Sequence, residues 1–143
     1  GPDEARLKRR AAANVQFAGR VDDATLARLY ATCQAFVFTS DEDFGIAPVE
    51  AQAAGRPVIA YGSGGVLETV EDGVTGLLYR DQSAASLEQA LRGFDPNAYR
   101  PAAIRRNAMR FSTQRFQDQM GAFLEQQAGV ESPDVPWLRS EAL

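Results

Sequence analysis

The chain contains no histidine and a single cysteine, Cys33. Without imidazole, and with one thiol, disulfide frameworks, zinc sites built from thiolates and imidazoles, and any mechanism that needs a histidine base are all excluded. Chemistry here must use carboxylates and backbone groups. A surplus of positive charge is also lacking, since 15 Lys and Arg stand against 19 Asp and Glu for a formal net charge of −4. No broad cationic face exists to neutralise nucleic-acid phosphates, so nucleic acid is not an expected partner. The basic run Arg6, Lys8, Arg9, Arg10 falls on a predicted helix, where it reads as a solvated face. No apolar run approaches the ~20 residues of a membrane-spanning helix, and no signal-peptide pattern opens the chain. A soluble, cytoplasmic setting is expected.

What is present is an ordinary globular composition: 143 residues, 45% of them hydrophobic, enough for one core. Apolar spacing predicts a first helix over residues 3–13, a short strand over 15–18, and a helix over 23–33 capped by Asp22, with Leu26, Leu29, Tyr30 and Cys33 forming a buried stripe. Ala35 to Thr39 is a run of β-formers without polar alternation, as expected of a parallel strand covered on both faces. A helix from Pro48 to Ala54 ends at Gly55, and Arg56 to Tyr61 is the next strand. A short helix at 66–70, a strand at 76–79, and helices over 83–94, 97–111 and 112–128 complete the pattern. The domain is therefore expected over 1–128. Residues 129–143 carry Pro133 and Pro136 without periodicity and read as a tail, ordered if Trp137 and Leu138 dock. Gly1-Pro2 is either a scar of tag removal or native loop.

Alternating strands and helices argue for an α/β fold, a Rossmann-like parallel sheet with helices on both faces. Ligands in such sheets bind beyond the carboxyl ends of the strands. The loops at Gly19–Asp22, Ser40–Ala47 and Gly62–Gly65 each follow a predicted strand and should gather on that edge.

The segment from Ser40 to Gly55 is the most specific. Glu42 lies in the loop, Phe44-Gly45-Ile46 carries the backbone into the helix, and Glu50 lies in the first turn of that helix, with seven residues between the two glutamates. Gly45 permits close approach of a ligand to the main chain, because no Cβ obstructs it. The N–H groups nearby sit at the positive end of a helix dipole, which suits phosphate or sugar oxygens. Glu50 could accept two hydrogen bonds from a ribose diol, while Glu42 could reach a sugar or a developing positive charge. On pattern alone a plainer reading stands ahead: Glu50 complements the dipole, and Glu42 is one of three solvated acids with Asp41 and Asp43.

A longer pattern overturns that balance. Residues 40–79, SDEDFGIAPVEAQAAGRPVIAYGSGGVLETVEDGVTGLLY, resemble the donor-site signature of retaining GT-B glycosyltransferases, the large group that includes bacterial mannosyl- and glucosyltransferases. The glutamate pair matches. So do the glycine after the aromatic, the E-A-x-A-x-G-x-P-V-I-A stretch from Glu50 through Ala60, the G-G-x-x-E of Gly64 to Glu68, and the following D-G-x-T-G-x-L. Several co-linear motifs are far more specific than one glycine fingerprint. A dinucleotide-dependent reductase would need a G-x-G-x-x-G turn after its first strand, and none occurs.

The resemblance, weaker outside this segment, reaches from Gly1 to about Gln127, with Gly1-Pro2 at the end of a G-x-G-P turn. It implies that Val21 or its neighbours contact the nucleotide base through backbone groups and that Glu50 holds the ribose. Glu42 then faces the donor sugar near the anomeric carbon, as the catalytic residue. Amides at Phe44, Gly45 and Ile46 meet sugar hydroxyls or diphosphate, and Ser40, Gly64, Gly65 and Glu68 shape the pocket. The E-D-F-G-I variant points to GDP-mannose, with a UDP-hexose next. No cofactor or metal is implied, and the partners are a nucleotide sugar and an acceptor.

Departures from the family pattern carry their own expectations. The acceptor-binding N-terminal domain is missing, as are the first two strands of this domain, with the arginine and lysine that neutralise the leaving diphosphate. A departing diphosphate needs its charge stabilised, so donor binding with negligible transfer is expected of these residues alone. In the family's strand order the two strands lie between those at Val15 and Ala35, and their loss leaves sheet edges open to self-association. The alternative is a non-catalytic module that binds a nucleotide sugar or a protein.

Overall fold

A computed structural model describes residues 3–128. The tail expected beyond Gly129, with Trp137 and Leu138, and the Gly1-Pro2 dipeptide lie outside the described residues. The elements are α1 (Glu4–Arg10), α2 (Asp23–Thr32), β1 (Phe36–Phe38), α3 (Ile46–Ala53), β2 (Val58–Tyr61), α4 (Val66–Thr69), β3 (Gly76–Tyr79), α5 (Ala84–Gly93), α6 (Pro101–Ala108) and α7 (Thr113–Ala128). The three strands form a parallel sheet in the order β1-β2-β3, so this is the expected α/β arrangement. Phe36 pairs with Val58 and Phe38 with Ala60, while Val58 pairs with Gly76 and Tyr61 with Tyr79.

Burial is concentrated on β2. Val58 and Ala60 are fully buried and pack with Ala51, Val66 and Val70, and Ile59 is buried as well. A β-branched run suits a central parallel strand, because both of its faces are covered. Helix α3 packs on the sheet and is flanked by α2 and α6. Its C-terminal turn is fixed from both sides: Arg105 of α6 donates to the Ala54 carbonyl at 3.3 Å, and Arg56 donates to the Ala31 carbonyl at the end of α2.

Several expectations are corrected. Val15 to Ala18 forms no strand: Val15 and Phe17 are 48% and 39% exposed, and Lys8 Nζ lies 5.8 Å above the Phe17 ring. An alternating apolar segment becomes a strand only by pairing, and none of the described residues pairs with it. The loop at Gly19–Asp22 therefore does not follow a strand. Strand β1 sits at the sheet edge and Val37 is 41% exposed, so it is not covered on both faces as its sequence suggests. The α2 stripe is not buried either; Leu26 and Leu29 are exposed, while Tyr30 and Cys33 are half-buried.

Boundaries shift for identifiable reasons. Helix α2 is capped as expected, Asp22 accepting from the Thr25 amide at 2.7 Å. The helix expected over 97–111 is interrupted: a 3-10 turn at Pro96–Ala98 precedes α6, which starts at Pro101 because proline disfavours helical geometry in the residue before it. Another 3-10 turn at Met109–Phe111 separates α6 from α7. No helix of the described residues is long and apolar enough to cross a membrane.

Candidate functional site

The main chain leaves β1 at Phe38, passes the loop from Thr39 to Phe44, and enters α3 through Gly45. Gly45 has φ 76° and ψ 77°, a left-handed conformation that a Cβ would strain. A Cβ there would meet Pro48 and Phe38 at the ordinary distances of 3.5 and 3.6 Å, so the dihedral, rather than clearance for a ligand, requires this glycine. The helix starts at Ile46, two residues earlier than the proline suggested, and Pro48 still occupies the first turn, where no N–H is needed. Amides at Ile46 and Ala47 have no intrahelical carbonyl to bond and mark the positive end of α3. Glu50 consequently falls in the second turn, not the first.

The acid-bearing loop is held from the turn after β2. Gly65 donates its amide to the Glu42 carbonyl at 2.7 Å, and Ser63 Oγ donates to Asp41 Oδ2 at 3.0 Å. The contact is so close that a Cβ on Gly65 would overlap the Phe44 Cα, and one on Gly64 would overlap the Glu42 carbonyl oxygen. Gly64 is also left-handed, with φ 62°. The two glycines thus fix the loop that carries Ser40, Glu42 and Phe44. Ser40, Glu42 and Phe44 are themselves exposed, as is Glu68 on α4.

Glu50 projects at a different feature. A groove of about 370 Å³ between α2 and α3 is lined by Asp23, Leu26, Ala27, Tyr30, Glu50, Ala53 and Ala54. Tyr30 Oη donates to Glu50 Oε2 at 3.1 Å. Burial, followed by that contact with Glu50, pushes the Tyr30 phenol up to about 12, so it keeps its proton and donates at ordinary pH. Of the predicted site residues only Glu50 lines this groove. Glu42 belongs to the glycine-clamped loop, and Val21, half-buried just before the α2 cap, is not part of the groove lining either.

Beneath the loop runs a polar network that the sequence patterns did not single out. The Gln52 side-chain amide donates to the Thr69 carbonyl at 2.9 Å and to the Pro48 carbonyl at 3.2 Å. Asn107 of α6 donates to Gln52 Oε1 at 2.7 Å and to the same Thr69 carbonyl at 2.9 Å, and Thr69 Oγ1 donates to the Gly65 carbonyl at 3.1 Å. Gln52 and Thr69 are wholly buried and Asn107 almost so. Each side-chain polar group of this network is answered, which ties α3, α4 and α6 to the glycine turn. Arg110 extends the chain, donating to Asn107 Oδ1 at 2.8 Å. Its guanidinium also lies 5.3 Å above Phe111, whose ring meets Phe44 edge-on at 5.6 Å.

Among the described residues, no group of three His, Cys, Asp or Glu side chains is placed to hold a metal ion. In the groove Glu50 offers a carboxylate oriented by Tyr30, an acceptor for hydroxyl donors, while the helix-tip amides of α3 lie outside the groove lining.

Comparison with known proteins shows the family and the fold. The family model described as glycosyl transferases group 1 matches residues 1–110. A D-inositol 3-phosphate glycosyltransferase of Geodermatophilus obscurus is 35% identical over 107 residues, covering 71% of this chain and 24% of the relative. An alpha-1,3/1,6-mannosyltransferase of Dictyostelium discoideum is 53% identical over 51 residues, covering 35% of this chain and 12% of its own. Among solved structures, a sucrose-phosphate synthase from Thermosynechococcus elongatus superposes with a TM-score of 0.78 at 30% identity, over 91% of this chain and 34% of the other. HepE of Anabaena, in complex with UDP-glucose, superposes with a TM-score of 0.58 at 28% identity, over 88% of this chain and 35% of its own. The chain therefore spans about a quarter of the first curated relative and about a third of these structures.

Proposed function

Since the chain belongs to the group 1 glycosyl transferases, we propose that these residues form the donor-binding part of a retaining enzyme that transfers a hexose from a nucleotide sugar to an acceptor. Glu50 binds the ribose diol, and backbone groups near Val21 meet the base. Amides of Phe44, Gly45 and Ile46 contact sugar hydroxyls or the diphosphate at the positive end of α3. Glu42 faces the anomeric carbon. GDP-mannose is the favoured donor and a UDP-hexose the next; the mannosyltransferase among the relatives supports the first, and UDP-glucose bound to HepE supports the second.

The observation that carries the reading is the placement of Glu50. Its carboxylate is held on a rigid helix, in a groove, eight positions after an acid whose loop is pinned by two glycines. A donor gripped in this way would be presented to an acceptor recognised elsewhere in the whole protein, in the cytoplasm, without a metal or cofactor. These residues alone should bind donor and not transfer it, because the groups assigned to the departing diphosphate in this reading are the helix-tip amides of α3.

Titration calorimetry of the chain with GDP-mannose, GDP, UDP-glucose and UDP tests this. Binding of a nucleoside diphosphate that Glu50→Ala abolishes is the expected result, and the tighter base family identifies the donor class. Binding unaffected by Glu50→Ala, or none with any of the four, would remove the proposal.

A further inference from the structure

We propose that Tyr30 is a positioning residue for ribose recognition: by donating to one oxygen of Glu50 it orients that carboxylate so that the chain prefers ribonucleotides over 2′-deoxyribonucleotides. The inference rests on the ribose role given above to Glu50 and adds the residue that makes this role selective.

Tyr30 comes from α2, twenty residues before Glu50, and reaches it across the groove. Its ring is fixed before any ligand arrives. It stands edge-on to Phe36 with centroids 5.5 Å apart and packs against the buried cluster around Ala51 and Val58. The hydroxyl therefore meets Glu50 Oε2 as a pre-set donor rather than as a mobile surface group. Glu50 Oε1 has no hydrogen-bond partner among the described residues, and the side chain lines the groove.

An ionised carboxylate offers about four acceptor positions, and a vicinal diol presents two hydroxyl donors. A freely rotating carboxylate serves one hydroxyl nearly as well as two. Fixing its plane through Oε2 favours the two-point arrangement, and with it the ligand that carries both hydroxyls. The phenol, held in its protonated state by burial and by Glu50, cannot itself become a competing anion.

The test compares UDP with 2′-deoxy-UDP, and GDP with 2′-deoxy-GDP, by calorimetry on the unmodified chain, on Tyr30→Phe and on Glu50→Ala. The phenylalanine keeps the ring packing, and thermal melts establish that the three proteins are equally folded. The unmodified chain should prefer the ribonucleotide, and Tyr30→Phe should weaken it about three- to ten-fold while leaving the deoxy ligand unchanged. A Tyr30→Phe protein that loses both ligands equally would show a merely structural tyrosine and overturn the proposal. One that keeps the full preference, while Glu50→Ala abolishes it, would overturn the role of Tyr30 and leave that of Glu50 intact. If Glu50→Ala keeps the preference, or the unmodified chain has none, both readings fall.

Discussion

The amide of Gly65 is bonded to the carbonyl of Glu42 at 2.7 Å, so the loop carrying the proposed catalytic acid is tied by its main chain to the turn after the central strand. This relationship gives the G-G-x-x-E motif a physical reason. Neither glycine tolerates a side chain, because the neighbouring backbone already fills the space a Cβ would take.

Gly65→Ala should therefore displace the loop from Asp43 to Phe44. Overpacking of this kind costs about 1–3 kcal/mol, read as a lower urea midpoint. Donor affinity should fall about ten-fold or more, since the amides from Phe44 to Ile46 move with the loop. An alanine protein that binds nucleoside diphosphate as tightly as the original would show that the clamp is not used.

The buried amides make a second prediction. Replacing Gln52 or Asn107 with Ala removes one partner and strands the others, at a cost of about 1–3 kcal/mol each by denaturant unfolding. Because the two side chains bond each other at 2.7 Å, the double variant should cost less than the sum of the singles. Strict additivity would mean that each acts through separate contacts.

A third concerns pH. The Tyr30 phenol is raised from its ordinary value of 10.0 to about 12 in the folded chain, first by burial and then by Glu50. A raised value means that the folded state holds the proton more tightly, so the contribution is complete below about pH 10 and is lost as pH rises toward 12. Tyr79 and Tyr99 shift in the same direction, mainly through burial, and add to the slope. Unfolding midpoints measured across this window should decline, and the decline should be shallower in Tyr30→Phe. An equal slope in both proteins would place the dependence elsewhere.

Much of the fold can be read from the sequence where local rules and burial agree. Gly76 to Tyr79 is a strand with the expected ends, Asp22 caps the helix it was expected to cap, and Ser83, at the start of the helix expected over 83–94, accepts from the Ser86 amide as its cap. The segment at Val15 fails because a strand is a relation between two chains of backbone, and alternation in one of them is only half of it. Leu26 and Leu29 fail for a related reason: periodicity identifies an apolar face but not what covers it. Gln52 and Asn107 were missed since amides at helical positions ordinarily face water, and their burial depends on partners distant in sequence: each other, 55 residues apart, and the Thr69 carbonyl. The one available hint was Gln52 standing between Ala51 and Ala53 in a helix whose other polar residue is Glu50. At the site, the two glutamates and the glycine pairs were legible as a motif, whereas Tyr30 looked like any member of an apolar stripe.

Because the Gly65 amide grips a carbonyl, the tie is indifferent to which side chain stands at position 42. Position 42 can accordingly change identity while this tie stays put, whereas Asp41 holds the loop through its own carboxylate, which accepts from Ser63. Scaffold and side chain are thereby uncoupled at this point: a substitution at position 42 made to test its proposed role in sugar choice need not be rescued by compensating changes in the sheet beneath.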